Sequence, residues 1–266
     1  MKVFFFENEI GEDKMNKEEM EKYLYCAMSI GEKMLMCGAE VGRVEDTITR
    51  ICYAYGARRV DVFSLTSLII TSVDLGKEGE VLTQSRRVLN ASTDFTLLDR
   101  LNCLSRKICG EKIPPDKILE ELQEICERPG YSFNIQLFIY ALISGSFAVF
   151  FGGTVKDMLV SAAIGVALKC AEDFLRKERL NPFMSILLCS VVGGFLANLA
   201  VHFGIGDHAE MINLGNVMLF IQGVAFTNAM RDMFSRDIIS GLTRVVESLL
   251  TAIVMAMGFA FSGVFF

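Results

Sequence analysis

Five apolar stretches crowd the last 135 residues of this chain, and they restrict its fold more than any other feature. Residues 133–151, 183–206, 211–230 and 248–266 contain no Asp, Glu, Lys or Arg; residues 158–168 form a shorter run of the same kind. A helix needs about 20 apolar residues to cross a bilayer. Four runs therefore read as spans. The second is the weakest and continues as an amphipathic helix through Phe174. One such run alone would fit the core of a water-soluble protein, but five in succession do not. The first half differs. Residues 1–131 hold 18 Lys/Arg and 23 Asp/Glu, against 8 and 9 in residues 132–266.

The expected fold class is therefore an α-helical integral membrane protein with five transmembrane helices, preceded by a small cytoplasmic α+β domain. The expected divisions are an N-terminal extension at 1–15, the α+β domain at 16–131 and the five-span domain at 132–266. Phe4, Phe5 and Phe6 are too few for the apolar core of a secretory signal, which runs to roughly 7–15 residues. Net charge is −6, with no basic stripe, so nucleic acid is not an expected partner.

Within the charged half, apolar residues at helical spacing predict helices over 17–37 and 41–55. The period then changes. Runs at 60–62, 67–73 and 81–85 read as strands, and the glycines between the last two suggest a hairpin. Helices follow at 95–108 and after Pro114-Pro115, the second with Ile118, Leu122 and Ile125 inward. Pro129-Gly130 break the chain.

Basic residues set the expected orientation. Segments 169–182 and 231–244 hold seven of the eight basic residues after position 131, which marks them as cytoplasmic. The expected location is the plasma (inner) membrane, with the N-terminus inside and the C-terminus outside. Lys169, Glu172, Asp173 and Arg176 can pair along one helix, with Lys169 snorkelling. An odd number of spans calls for a second half, either a second small multi-span membrane protein or another copy of the chain.

Polar residues gather in the last three runs. The fourth holds Asn213, Asn216, Gln222, Thr227 and Asn228 and ends at Arg231-Asp232; Asn198 and Glu247 belong to the third and fifth. Such groups are costly in hydrocarbon unless they bond between helices or line a polar path. The candidate path residues are Asn198, Gln222, Thr227, Asn228, Arg231, Asp232, Arg244 and Glu247. Arg231 and Arg244 could meet a solute carboxylate, and Asp232 or Glu247 could carry a proton. In the first half, Glu40, Arg43, Glu45 and Asp46 crowd one helix start. They read as a salt-bridged solvated face, or as a site for acid–base work or for docking on the membrane half.

Other chemistries find little support. The two histidines, His202 and His208, lie late in the chain, so the first 131 residues hold no Ser–His or Cys–His pair. No CxxC, HExxH, GxSxG or P-loop sequence occurs. No metal or cofactor is expected, and the eight cysteines read as free thiols. The chain is not expected to be an enzyme. The rival readings are a membrane-anchored enzyme with a catalytic head and a sensory or structural membrane partner.

Several segments together resemble one family. They are Gly38-Ala39-Glu40-Val41-Gly42-Arg43-Val44-Glu45-Asp46-Thr47, Val60-Asp61-Val62-Phe63, Leu82-Thr83 with Arg86-Arg87-Val88, Asn181-Pro182-Phe183, Gly223 with Thr227 to Asp232, and Ser240-Gly241-Leu242-Thr243-Arg244. In order and spacing this set is similar to the threonine/serine exporter family. The resemblance implies the split form of that family, in which a head plus five spans works with a separate small membrane protein. It also implies export of threonine and serine or of succinate-like dicarboxylates. Where family members commonly carry Pro-Gly, this chain has Gln222-Gly223. That difference predicts a more continuous fourth helix, with Gln222 itself as a candidate solute contact.

Overall fold

The computed structural model describes residues 16–76, 81–89, 92–128, 130–178 and 180–264. The expected extension at 1–15 lies outside the described residues, as do Arg179 and residues 77–80. The described chain forms two compact units. Unit 1 takes the residues up to Arg128 together with Asn228–Gly241, and unit 2 takes Pro129–Thr227 and Leu242–Phe266.

Unit 1 opens with α1 (Lys17–Met36) and α2 (Val41–Ala54). Three strands follow: β1 (Arg59–Leu65), β2 (Leu68–Asp74) and β3 (Val81–Arg87). Then come α3 (Phe95–Glu111) and α4 (Pro115–Glu127). The sheet is antiparallel in the order β1-β2-β3, with Val62 opposite Thr71 and Thr71 opposite Gln84. β2 alternates, burying Ile69, Thr71 and Val73, as a strand with one covered face must. Thr71 donates its hydroxyl to the Met28 sulfur of α1.

The core is aliphatic and methionine-rich: Met28, Met34, Ile48, Ile51, Leu101 and Ile108 are all fully buried. Each such side chain contributes roughly 1.5–3 kcal/mol when taken out of water. Tyr23 and Tyr55 stack at 3.7 Å, and the Tyr55 hydroxyl donates to the Ile113 carbonyl at 2.7 Å. The expected helices and strands of this half are present within a few residues of their predicted bounds.

Unit 2 holds α5 (Phe133–Phe150), α6 (Val155–Lys177), α7 (Pro182–His202), α8 (Ala209–Val217), the start of α9 (Gly223–Phe234) and most of α10 (Ile238–Gly263). Of the described helices, α5, α7 and α10 are long and apolar enough to cross a membrane, with mean hydropathies of 1.7, 2.1 and 1.8. The core has few large side chains; Leu168 and Ile212 are buried beside Ala197 and Cys189.

Two expectations need correction. The fourth run is not one helix. α8 has 9 residues and ends at Val217, after which the backbone tightens: Leu219 N–H donates to Asn216 O, and Phe220 N–H to Val217 O. Residues 221–222 leave the helix, and α9 restarts at Gly223 with the Gln222 carbonyl accepting from Phe226 N–H. Gln222 therefore stands in a break instead of holding a helix continuous. The last helix is longer than its charge-free run: α10 begins at Ile238 and takes Arg244 and Glu247 into its first turns.

Candidate functional site

Within unit 1, the segment that returns late in the sequence lies against the start of α2. α1 ends in a turn in which Gly38 has φ +84°, a conformation that favours glycine. Glu40 follows in extended geometry, and its backbone carbonyl accepts from Val44 N–H. Its side chain does not cap α2 and instead accepts from Arg231 Nη1 at 2.8 Å. Asn228 Nδ2 donates to the Gly38 carbonyl at 3.1 Å. A Cβ placed on Gly42 would lie 3.9 Å from an Asp237 carboxylate oxygen.

The corner that follows α9 is tight. Arg236 has φ 76°, and Asp237 N–H donates to the Asp232 carbonyl at 2.9 Å. Gly241 lets α10 approach α9, since a Cβ there would stand 2.6 Å from the Ala229 carbonyl oxygen.

Two predicted sets are thus partly joined: Glu40 of the head motif meets Arg231 of the path set, and Asn228 of that set bonds to the neighbouring Gly38 carbonyl. The others separate. Glu45 turns to β1 and accepts from Ser64 N–H at 2.8 Å and from its hydroxyl. Burial raises the Glu45 pKa against the lowering effect of those bonds, and the Asp237 carboxylate adds to the rise. Asp46 pairs with exposed Arg50 along α2, and Arg43 is exposed. Asp232 is buried. Thr227 donates to the Gly223 carbonyl of its own helix. Asn198 is half-buried on α7, Gln222 is exposed in the break, and Arg244 is half-buried and Glu247 exposed on α10. Among the described residues, no side-chain hydrogen bond ties Asn198, Gln222 or Glu247 to the rest of the set.

Unit 2 holds two polar groups that the sequence showed only in part. In the first, Ser144 of α5 and Ser161 of α6 share a hydrogen bond at 2.7 Å. Ser144 also donates to Asn216 Oδ1 of α8, and Asn216 Nδ2 donates to the Ile212 carbonyl at 3.0 Å. All three side chains are fully buried. Gly215 brings α8 against this group, with room for no Cβ. This is helix-to-helix bonding of the kind that hydrocarbon favours. Asn216 was visible as an amide in an apolar run; its serine partners were not.

The second group is ionic. Lys169 of α6 lies between Glu172 and Asp173, beneath the ring of Tyr140 on α5. The expected snorkelling does not occur, because Lys169 is buried.

At the other end of α6, Asp157 is buried and completes a capping box with Thr154. Its carboxylate accepts from the backbone N–H groups of Thr154, Asp207 and His208, and it meets His208 Nδ1 at 3.1 Å. Burial pulls its pKa up, but these bonds together outweigh that and hold the carboxyl well below the usual range.

A cavity of about 530 Å³ opens in unit 1 between α1 and α4, beside Tyr25, Cys26 and Asp116. Burial pushes the Cys26 thiol up to about 11, which leaves it a poor nucleophile at neutral pH. The eight cysteines are all free.

Three helices long and apolar enough to cross a bilayer, with buried hydroxyl and amide groups bonding α5 to α6 and α8, define the class: this is a membrane protein. Residues 25–265 match the family described as "Putative threonine/serine exporter", and the chain belongs to that family. It is 24% identical over 250 residues to a threonine/serine exporter of Corynebacterium glutamicum, covering 90% of this chain and 50% of the relative. It is 22% identical over 232 residues to "Probable succinate transporter subunit YjjP" of Klebsiella aerogenes, covering 84% of this chain and 88% of the relative. The chain thus spans about half the length of the threonine/serine exporters it matches and most of the length of the subunit. No solved structure matches it.

Proposed function

We propose that this chain is the head-bearing subunit of an exporter of small carboxylate solutes, either threonine/serine-type amino acids or succinate-like dicarboxylates. It works with a second small multi-span membrane protein. The observation that carries this reading is the match to a relative named a transporter subunit, 88% of which this chain covers, within the matched exporter family.

In this reading the N-terminal domain faces the cytoplasm and the chain crosses five times. α6 serves as the second crossing, and the discontinuous α8/α9 pair as the fourth. A broken helix at membrane depth is tolerated where it lines a cavity. The first turn of α9 opens onto space, since nothing lies within 4 Å of a Cβ placed on Gly223. Its unpaired N–H groups and the helix dipole suit a solute carboxylate, with Gln222 and Thr227 beside it. Asn228 and Arg231 tie the later turns of α9 to Gly38 and Glu40, so this contact would transmit a shift of the helix to the head motif.

The test is efflux from cells expressing this chain, a candidate small partner, or both, after loading with threonine, serine and succinate. Efflux only with both proteins establishes the two-component exporter. No efflux of any of the three, with both proteins in the membrane, overturns the reading. Arg231→Gln should lower efflux severalfold at an unchanged membrane level.

A further inference from the structure

Lys169 is the one buried cation among the described residues, at 5% exposure. It lies about 21 Å along α6 from Val155. Its ammonium stands 2.9 Å from Asp173 Oδ1, 3.4 Å from Glu172 Oε2 and 5.1 Å from the centre of the Tyr140 ring. The Tyr140 hydroxyl donates to Glu172 Oε2 at 2.6 Å. From α7, the buried Cys189 thiol lies within electrostatic reach of Glu172 and Tyr140.

Ordinary charge pairs along a helix keep their cation in water, and this one does not. One cation also faces two anions. With both carboxylates ionised the cluster carries one net negative charge, and a single proton makes it neutral. Uncompensated charge is costly in a partly dry site. Two carboxylates here share one counter-ion. The carboxylate side chains remain 35% and 32% exposed, so a proton has a way in. The ammonium, by contrast, is enclosed.

We propose that Tyr140, Lys169, Glu172 and Asp173 form the proton-carrying site of unit 2, with one proton shared by Glu172 and Asp173 and bound and released once in each transport cycle. The proton adds to a carboxylate oxygen and leaves from it; no other bond changes. Lys169 pairs with the remaining carboxylate, and the Tyr140 hydroxyl holds Glu172 in place. The proposal rests on the exporter reading above, and it moves proton coupling away from Asp232 and Glu247.

The test uses membrane vesicles containing the full chain and the partner identified by efflux, with labelled threonine, serine and succinate as probes. Two rates are read: movement driven by an imposed pH gradient, and exchange of labelled for unlabelled solute without a gradient. In the wild type, one coupled proton sets a solute ratio of about tenfold per pH unit. The E172Q/D173N double variant should lose the response to the gradient and keep exchange. Tyr140→Phe should shift the pH dependence of exchange while leaving the membrane level unchanged. The single variants E172Q and D173N serve if the double variant is absent from the membrane.

A full gradient response in these variants overturns the proposal. So does loss of exchange together with the gradient response at normal membrane level, which would make the cluster part of the solute path or its scaffold. If the wild type moves no solute in either mode, the exporter reading fails instead.

Discussion

Units 1 and 2 are built on opposite rules. Unit 1 buries Met, Leu and Ile and exposes charge. Unit 2 buries Ser144, Ser161, Ser190, Asn216, Gly and Ala, and exposes Phe138, Leu188, Leu249 and Ile253. In water, association is driven by removing apolar surface. Among lipid tails that drive is absent, so small residues and interhelical hydrogen bonds hold the helices together. The same chain obeys both solvents, and truncating a large apolar side chain should cost very different amounts in the two units.

The largest effect is expected where unit 2 is tightest. Gly215→Leu places a Cβ 2.6 Å from the Ser161 hydroxyl and against the Ser144 carbonyl. The cost should exceed about 4 kcal/mol, read as loss of folded protein from the membrane fraction. If Gly215→Leu is tolerated, α8 is not held as described.

The next test sets the two units side by side. Ile48→Ala and Leu101→Ala in unit 1 should each cost about 2–5 kcal/mol. Leu249→Ala and Ile253→Ala on the exposed side of α10 should cost less than about 0.5 kcal/mol. Melting in mild detergent measures both pairs, and equal losses would abolish the contrast.

Asp157 gives a smaller effect with a pH signature. Its folded-state pKa is depressed, so its contribution is present above the ordinary carboxylate value of about 4 and fades as pH falls through and below it. Asp157→Asn should cost about 1–3 kcal/mol at pH 7. It should also flatten the acid limb of the melting curve, and an unchanged acid limb would remove Asp157 as its source.

Arg231→Gln should also have a small effect on stability. The Arg231–Glu40 pair is largely solvated and should contribute about 0–1 kcal/mol. A severalfold change in efflux with melting unmoved would separate signalling from support.

Much of unit 1 was legible because water enforces periodicity: the spacing of Val41, Val44, Ile48 and Ile51 declares both helix and inward face. Lipid erases that signal. The run 211–230 is free of charge throughout, and hydropathy cannot register that the α-helix ends at Val217. Composition also misplaced the start of α10, because Arg244 and Glu247 are helical despite their charge. At the candidate site, Glu40 and Arg231 were each visible as charged residues in suggestive settings. Their pairing joins positions 191 residues apart, a separation that no local pattern spans. Lys169 failed differently. A lysine near the end of an apolar run usually reaches for water, and the two carboxylates and a tyrosine ring supply what water would have given.

The late return of Asn228–Gly241 to unit 1 has a consequence for how the protein is made. A ribosome delivers Lys17 to Arg128 first, yet one piece of that unit is not synthesised until nearly the whole of unit 2 has been. The early product therefore waits, with the start of α2 uncovered, while α5 to α8 are made. A fragment ending at residue 131 would keep that surface uncovered, so its behaviour is not that of the finished unit. Completion of the first-made unit thus reports that α8 and α9 have been made and delivered.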